Sequence, residues 1–108
     1  MIPSELIKGT LRYMVMDLLR KETRMYGYEI TRVLEERSKG RIRLTFAALY
    51  PVLHKLEAEG MVRTEAENVN NRIRKYYTLT ETGIETASLL LAELRDYLGT
   101  MQDLIKKE

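Results

Sequence analysis

Residues 48–62 read ALYPVLHKLEAEGMV, and residues 74–83 read RKYYTLTETG. The first segment has the apolar spacing of a helix and ends at Gly60, and two short alternating segments follow it. An Asn-rich, basic turn joins the two alternating segments. The order of helix, hairpin and basic tip is typical of a winged helix-turn-helix, a fold that is mainly α with a small β-hairpin. In this fold one helix and one hairpin lie against a DNA duplex.

The length and composition of the chain limit the classes of protein to which it can belong. Its 108 residues correspond to one domain, and 44% hydrophobic residues can build a modest core that a dimer interface would help to stabilise. No run of 18 apolar residues is present, and the N-terminal MIPSE segment lacks the pattern of a signal peptide. The chain has no cysteine, which excludes disulfides and thiolate metal sites. We therefore expect a cytoplasmic protein with no membrane partner and no cofactor.

Charge is unevenly distributed along the chain, although the net charge is only +2. Residues 1–83 contain 15 Lys and Arg against 11 Asp and Glu, whereas residues 84–108 contain 3 against 5. The basic excess falls on the predicted helix-turn-helix and hairpin, and the acidic excess falls on the last predicted helix. This modest asymmetry favours nucleic acid as the partner of the first region.

Two amphipathic helices are predicted before the third. The first covers residues 4–20, with apolar residues at helical spacing and Ser4 as its N-cap. The second covers residues 26–37 and is followed by Gly40, which can adopt the left-handed conformation that ends a helix. Both helices carry their apolar residues on one face.

The third helix is predicted over residues 46–59, with Thr45 as its N-cap. Residues 41–44 alternate in polarity before it and are predicted as a short strand. Pro51 lies inside the predicted helix and removes one backbone hydrogen bond, so a start at this proline is the alternative. The apolar stripe already includes Leu49, which favours the earlier start.

A hairpin and a long helix complete the chain. Residues 61–67 and 72–79 alternate as two strands, and the Asn-rich segment 68–71 between them predicts a turn. Thr82 and Glu85 have the spacing of a capping box, which predicts the start of the last helix.

The last helix carries a heptad-like apolar seam. Its positions step alternately by four and three residues and comprise Ala87, Leu91, Leu94, Leu98, Met101 and Ile105. Little of this small chain remains to cover the seam, and a second copy is the simplest partner. We therefore predict a winged helix-turn-helix domain over residues 1–80 and a C-terminal dimerisation helix over residues 81–108.

Four segments of the chain resemble the PadR family of bacterial transcription regulators. They are YGYEI at residues 26–30, LYPVL at 49–53, LEAEG at 56–60 and RKYYTLT at 74–80, with Gly83 after them. The resemblance spans nearly the whole chain in register, and the length and single terminal helix are typical of the short subgroup. It implies a dimeric, ligand-responsive repressor that often acts on its own operon.

The chain departs from the family pattern at two places. The residues just before LYPVL are Ala47 and Ala48, where the family usually has a glycine followed by a small or hydroxyl residue. The absence of that hydroxyl implies different contacts with the operator. Some short members bind flat aromatic drugs beside a tryptophan on the last helix, and this chain contains no tryptophan.

Side chains of three predicted elements are candidates for DNA contact. The N-terminal residues of the third helix would reach base edges in the major groove, while tyrosines of the second helix and the basic hairpin tip would bind phosphates. The candidates are Tyr26, Tyr28, Thr45, Ala47, Ala48, Tyr50, His54, Lys55, Asn71, Arg72, Arg74 and Lys75. The alternatives are an ordinary amphipathic core helix, a tyrosine packed in the core, and a solvated hairpin whose charges protect an exposed edge.

A small apolar or aromatic effector is the other expected partner. By analogy with the family, its pocket would lie between the first and last helices of the dimer and be lined by Met14, Leu90, Leu94 and Tyr97. Methionine repacks easily around ligands. The alternative is that the methionines only fill the core.

The sequence carries no signal for catalysis. His54 is the only histidine, and neither a nucleophile motif nor a Gly-rich phosphate loop accompanies it, so an enzyme is not expected. The most specific prediction is a homodimeric repressor on a palindromic double-stranded operator. A winged-helix protein–protein module without DNA binding is the main alternative, and a ligand-sequestering helical dimer is the second.

Overall fold

The computed structural model describes residues 1–106, which form four helices and a three-stranded antiparallel sheet. Along the chain these are α1 (Ser4–Lys21), β1 (Met25–Tyr26), α2 (Gly27–Arg37), α3 (Phe46–Ala58), β2 (Val62–Val69), β3 (Arg72–Leu79) and α4 (Glu81–Lys106). The predicted winged helix-turn-helix with a C-terminal helix is confirmed. Residues 107 and 108 of the predicted terminal helix lie outside the described residues.

The core lies where the first three helices meet one face of the sheet. Val15 of α1, Ile30 of α2 and Leu53 of α3 are fully buried, and Tyr77 of β3 is buried with them. Each helix buries the apolar positions that its spacing predicts, because residues three and four apart share one face. Each fully buried side chain of this kind contributes roughly 1.5–3 kcal/mol, so the core is the main source of stability.

Among the described residues, Asp17 on α1 is the one charged residue that is buried. Arg20 Nη2 donates to Asp17 Oδ1 at 2.7 Å, and Lys21 Nζ lies 2.9 Å from Oδ2. Burial by itself raises the pKa of Asp17, but the hydrogen bonds from Lys21 and Arg20 outweigh it, and the pKa lies below its ordinary value. The carboxylate is therefore ionised and paired at neutral pH.

The sheet has the strand order β1-β3-β2, and β2 and β3 form a hairpin, here called the wing. The two strands pair along their whole length. Asn70 and Asn71 connect them with φ values of 51° and 63°, the left-handed conformation that asparagine tolerates in a two-residue hairpin turn. The turn is therefore shorter than the predicted 68–71 segment, and β2 extends further than predicted.

β1 is a two-residue strand that the sequence did not predict. Met25 pairs with Tyr77, and Tyr26 pairs with Tyr76. Two residues are too few to produce an alternating pattern, so the predicted second helix included residue 26. Tyr26 instead has extended backbone, with φ −95° and ψ 163°, and α2 begins one residue later.

The prediction of a strand at residues 41–44 was wrong. This segment is an irregular connection. Its backbone bonds to nearby groups, since the Ile2 N–H donates to the Arg41 carbonyl at 2.8 Å and the Ile42 N–H donates to Ser38 Oγ at 2.9 Å. The alternation instead reflects half-buried Ile42 between exposed arginines.

One proline lies at the start of α1 and another lies inside α3. Pro3 occupies the N-cap position of α1 where Ser4 was predicted, with φ −60° and ψ 142°, and it makes no side-chain cap bond. Pro51 lies inside α3, so the earlier start of that helix was the correct alternative. Because proline has no N–H, one backbone hydrogen bond of α3 is absent there.

The predicted capping box of Thr82 and Glu85 was also wrong. Thr80 caps α4, because its hydroxyl accepts a hydrogen bond from the Gly83 N–H at 3.0 Å. The same hydroxyl donates to the Gly60 carbonyl at 2.6 Å, which joins the start of α4 to the turn after α3. A contact across twenty residues cannot be recognised from local spacing.

Candidate nucleic-acid interface

α3 presents one buried side and one open side. Leu49, Leu53 and Leu56 are fully buried, which fixes the helix on the core. The Thr45 hydroxyl caps the helix by accepting a hydrogen bond from the Ala48 N–H at 3.2 Å. The predicted contact residues of this helix lie on its open side and are exposed, namely Ala47, Ala48, Tyr50, His54 and Lys55. α3 is called the recognition helix below because it occupies that position in a helix-turn-helix.

The start of α2 lies directly against the start of α3. Gly27 is so close to the ring of Phe46 that a Cβ at this position would overlap the ring. Glycine suits this position, because a Cβ on any other residue would force the Phe46 ring to move. Phe46 was not among the predicted site residues, although it directly follows the cap Thr45.

An aromatic row runs from the start of α2 along the open side of α3. It consists of Tyr28, Phe46, Tyr50 and His54, with neighbouring ring centroids 5.0, 5.8 and 5.8 Å apart in that order. The last three residues recur every four positions, which places them on one helix face. Tyr28 is 66% exposed, so the row leaves aromatic surface open beside the recognition helix.

Tyr26 is the packed member of the tyrosine pair. Its ring meets Tyr76 edge-on at 5.5 Å between centroids, and the Arg74 guanidinium lies over it at 4.3 Å. The Tyr26 N–H donates to Glu29 Oε1 at 3.3 Å at the start of α2. Stacking on Tyr26 therefore holds the Arg74 cation beside this helix terminus.

The tip of the wing is open. Asn71 and Arg72 are exposed, and Ile73 is 79% exposed, more than any other large hydrophobic side chain of the described residues. In the alternating pattern of β3, Ile73 lies on the same strand face as the buried Tyr77. The pattern could not show that this face is exposed near the tip, because the tip extends beyond the core.

Lys75 contacts its own recognition helix. Its Nζ lies 3.4 Å from Glu57 Oε1, and the Thr64 hydroxyl donates to Glu57 Oε2 at 3.1 Å. Burial lowers the pKa of Lys75, but Tyr77 and Glu57 outweigh it, so the pKa lies above its usual value. Lys75 and Thr64 thus join the wing to the end of α3, whereas Arg72 extends into solvent.

Arg24 is a cation of this region that the sequence interpretation missed. Its guanidinium lies over the ring of Tyr76 at 3.9 Å, and Nη1 is 2.8 Å from Glu67 Oε1. The hydrogen bond from Arg24 lowers the pKa of Glu67 below its ordinary value. The contact depends on β1, which places Arg24 beside the wing and has no pattern of its own.

One cleft joins the start of α2, the open side of α3 and the wing. Its volume is about 220 Å³, and Tyr28, Tyr50 and Arg74 contribute to its lining from the three elements. All three elements therefore face the same side of the protomer. This arrangement combines exposed methyl groups, aromatic rings and arginines on one surface.

Neither a metal centre nor a membrane segment is found within residues 1–106. No three His, Cys, Asp or Glu side chains in this range are grouped so that they could hold a metal ion. No helix in the range has the length and apolar character needed to cross a bilayer. His54, the single histidine of the sequence, stacks with Tyr50 in the aromatic row.

The predicted dimer seam divides into a packed part and a bare part. Ala87 and Leu94 are 1% and 8% exposed because α4 packs on α1 here, so little of their surface is left for a partner. Leu91 is half-buried. The bare part consists of Leu98, Ile105 and the half-buried Met101. With the exposed Leu104 beside it, it is here called the apolar end of α4, where Leu98 is 51% and Ile105 68% exposed.

A cavity of about 310 Å³ lies between α1 and α4. Leu94 and Tyr97 line it, as predicted for an effector pocket, together with Tyr13, Glu5 and Glu93 among others. The other two predicted lining residues, Met14 and Leu90, pack against the core instead. The cavity therefore lies nearer the N-terminus of α1 than the predicted pocket.

Comparison with known proteins gives a consistent result. The model of the transcriptional regulator PadR-like family matches residues 15–88. A relative from Lysinibacillus sphaericus, described as uncharacterized protein X, is 31% identical over 94 residues, which cover 86% of this chain and 85% of the relative.

Two solved structures are informative. The crystal structure of a PadR family transcriptional regulator from Eggerthella lenta has a TM-score of 0.81 with 28% identity, over 96% of this chain and 88% of that chain. The crystal structure of Bacillus subtilis PadR in complex with operator DNA has a TM-score of 0.67 with 29% identity, over 76% of this chain and 47% of that chain.

Proposed function

The chain belongs to the PadR-like family of transcriptional regulators, and on this premise we propose that it is a homodimeric repressor that binds a palindromic operator. Residues 1–80 would bind DNA and residues 81–108 would dimerise. Each protomer inserts α3 into the major groove of one half-site, and two-fold symmetry sets the half-sites about 10 bp, or a multiple of one helical turn, apart.

The observation that carries the proposal is the shared orientation of three elements. The cleft between the start of α2, α3 and the wing brings Tyr28, Tyr50 and Arg74 to one side of the protomer. A duplex placed there meets the recognition helix with its bases and the two flanking elements with its phosphates. The crystal structure of Bacillus subtilis PadR in complex with operator DNA supports DNA as the partner of this chain.

Phosphate contact is assigned to cations that have solvent-facing surface. Arg72 lies at the open tip of the wing, and Arg74 lies over Tyr26 beside the N-terminus of α2. Backbone N–H groups at that terminus favour an anion as well. Lys75 is already paired with Glu57 and is assigned a supporting role.

Dimerisation is supported by the apolar end of α4. Leu98 and Ile105 are mostly exposed on a helix that follows a heptad-like spacing. A second copy of the same helix can cover these side chains by two-fold packing, which buries apolar area on both protomers. The distance between the two recognition helices then depends on how the two α4 helices pack.

The proposal includes a small apolar or aromatic effector. The cavity between α1 and α4 contains Leu94 and Tyr97, and it lies next to the apolar end of α4. A ligand that binds one arrangement of these helices better than another shifts the population of the two. The spacing of the recognition helices, and with it the operator affinity, changes accordingly.

The test is a salt titration of the full-length protein against labelled duplex from its own upstream region, beside a scrambled duplex of equal length. We expect tighter binding to the upstream duplex and a steep loss of affinity with salt, because phosphate contacts release counterions. The double variant Arg72→Ala/Arg74→Ala should lower the slope of log K against log salt by about one for each lost phosphate contact.

Arg95→Ala is the matched control, since Arg95 is an exposed arginine on α4 away from the cleft. It removes one arginine charge, where the double variant removes two, and should leave the slope unchanged. Equally weak binding to both duplexes that is also insensitive to the double variant would contradict the proposal and favour a protein–protein module.

A further inference from the structure

Apart from the exposed Tyr50, the first two turns of α3 offer little that can hydrogen-bond to a base edge. The Thr45 hydroxyl already accepts a hydrogen bond from the Ala48 N–H at 3.2 Å. The ring of Phe46 is held by the start of α2. Ala47, Ala48 and Pro51 are exposed and apolar. The leading part of the recognition helix therefore presents two methyl groups and a pyrrolidine ring.

The polar side chains of α3 lie further along the helix. The ring of Tyr50 stacks with His54, with centroids 5.8 Å apart, and Lys55 follows in the third turn. Arg and Lys are the usual partners of guanine and Asn and Gln those of adenine, and the helix contains only Lys55 of these. Residues near the N-terminus of a recognition helix are those that reach the bases. Base recognition by this helix is therefore mainly apolar at its leading end.

Thymine is the base that matches such a surface. Beside its O4 acceptor it projects a C5 methyl group into the major groove, which none of the other three bases has. We infer that Ala47 and Ala48 select the operator by contact with thymine methyl groups, with Pro51 as the neighbouring apolar contact. This inference rests on the proposed function, because it requires α3 to lie in the major groove.

The expected size of the effect follows from the apolar area that is buried. Removing one methyl group from such a contact should weaken binding about fourfold, as for one buried methylene. Two contacted thymines in each half-site would together account for a loss of roughly tenfold or more in each half-site.

The test replaces thymine by deoxyuridine, which forms the same base pair and lacks only the methyl group. The duplex is the shortest upstream fragment that the full-length protein protects in a footprint. Replacement within the half-sites should weaken binding about fourfold for each contacted thymine, while replacement in the flanks should not.

Unchanged binding to the deoxyuridine half-sites would overturn the inference and leave the proposed function standing. Failure to distinguish the upstream duplex from a scrambled one would overturn both. The two failures are therefore distinguishable in one set of titrations.

Protein variants then assign the methyl contact to named residues. In Ala47→Gly and Ala48→Gly the loss caused by deoxyuridine should shrink, because the partner methyl group is already absent. Ala58→Gly is the matched control, since Ala58 is an exposed alanine in the last turn of α3, and it should keep the full loss. A loss of equal size in all three variants would overturn the assignment to Ala47 and Ala48.

Discussion

The core leaves two surfaces of the protomer open, and they differ in chemistry. The open side of α3 combines the methyl groups of Ala47 and Ala48 with aromatic rings and lies near Arg74. The apolar end of α4 is hydrocarbon along one helix face. Exposure is common to both, so the chemistry of the exposed groups distinguishes a surface suited to a polyanion from one suited to a second copy.

The two surfaces also differ in how they are held. The recognition helix is fixed by three fully buried leucines, by close contact with Gly27 and by the pairing of Glu57 with the wing. The apolar end of α4 extends past the part of that helix that packs on α1. A fixed surface can read a duplex, whereas a helix end with an open apolar face can bury that face against a partner.

The largest expected effect comes from charging the apolar end of α4. Leu98→Lys with Ile105→Lys should weaken the dimer by roughly 3–6 kcal/mol per protomer, because two apolar side chains of each copy can no longer be buried in it. Sedimentation velocity should then show monomers at micromolar concentration, and operator affinity should fall with the loss of two-site binding. Leu89→Lys, an exposed leucine on another face of α4, is the control, and a dimer that survives the double variant would contradict the assignment.

The next comparison uses neighbouring residues on the two sides of α3. Leu53→Ala should lower the free energy of unfolding by about 2–5 kcal/mol, because it leaves a cavity in the core. His54→Ala should change stability by about 0.5 kcal/mol or less and weaken operator binding instead. Thermal unfolding and titration with the upstream duplex separate the two results. Equal destabilisation by both changes would mean that α3 has no open side.

A smaller effect concerns α1, which supports both surfaces. Because the pKa of Asp17 is lowered in the folded protein, its stabilising effect is complete above the ordinary pKa of about 4 and is lost as the pH falls through the lowered value. Asp17→Asn should cost about 1 kcal/mol at neutral pH and make stability less dependent on pH below about 4. Circular dichroism melts at a series of pH values measure this, and parallel curves for both proteins would contradict it.

The smallest effect separates two cations of the wing. Arg72→Gln should reduce the slope of log K against log salt by about one, whereas Lys75→Gln should leave the slope nearly unchanged. Lys75→Gln should also change stability by about 1 kcal/mol or less, since its pairing with Glu57 is partly exposed. A slope reduced equally by both variants would place Lys75 on the phosphates.

The sequence predicted the helices and the wing because each has a repeating pattern. The positions Leu49, Leu53 and Leu56 recur at helical spacing, and the alternation at residues 72–79 marks β3. Most of the misses are contacts without such a pattern, whereas residues 41–44 alternate in polarity and still form no strand. β1 has two residues, and the hydroxyl of Thr80 bonds to Gly60, which is distant along the chain.

The candidate site likewise has residues that local spacing predicted and contacts that it could not predict. Local spacing was enough to place Ala47, Ala48, Tyr50, His54 and Lys55 on one exposed helix face, although their contact with DNA stays a prediction. Three contacts could not be predicted. They are the close approach of Gly27 to the Phe46 ring, the stacking of Arg74 on Tyr26 and the pairing of Lys75 with Glu57. Each depends on the distance between elements, which is set by packing.

The sequence by itself determined the four helices and the two strands of the wing, the apolar face of each helix, and the family to which the chain belongs. These properties follow from the residue period along one segment and from short motifs. Only the tertiary structure decided which exposed cations remain free, which tyrosine packs, and where the seam of α4 is already covered by α1. Those outcomes depend on long-range contacts, because the burial and pairing of a side chain are set by the elements that pack around it.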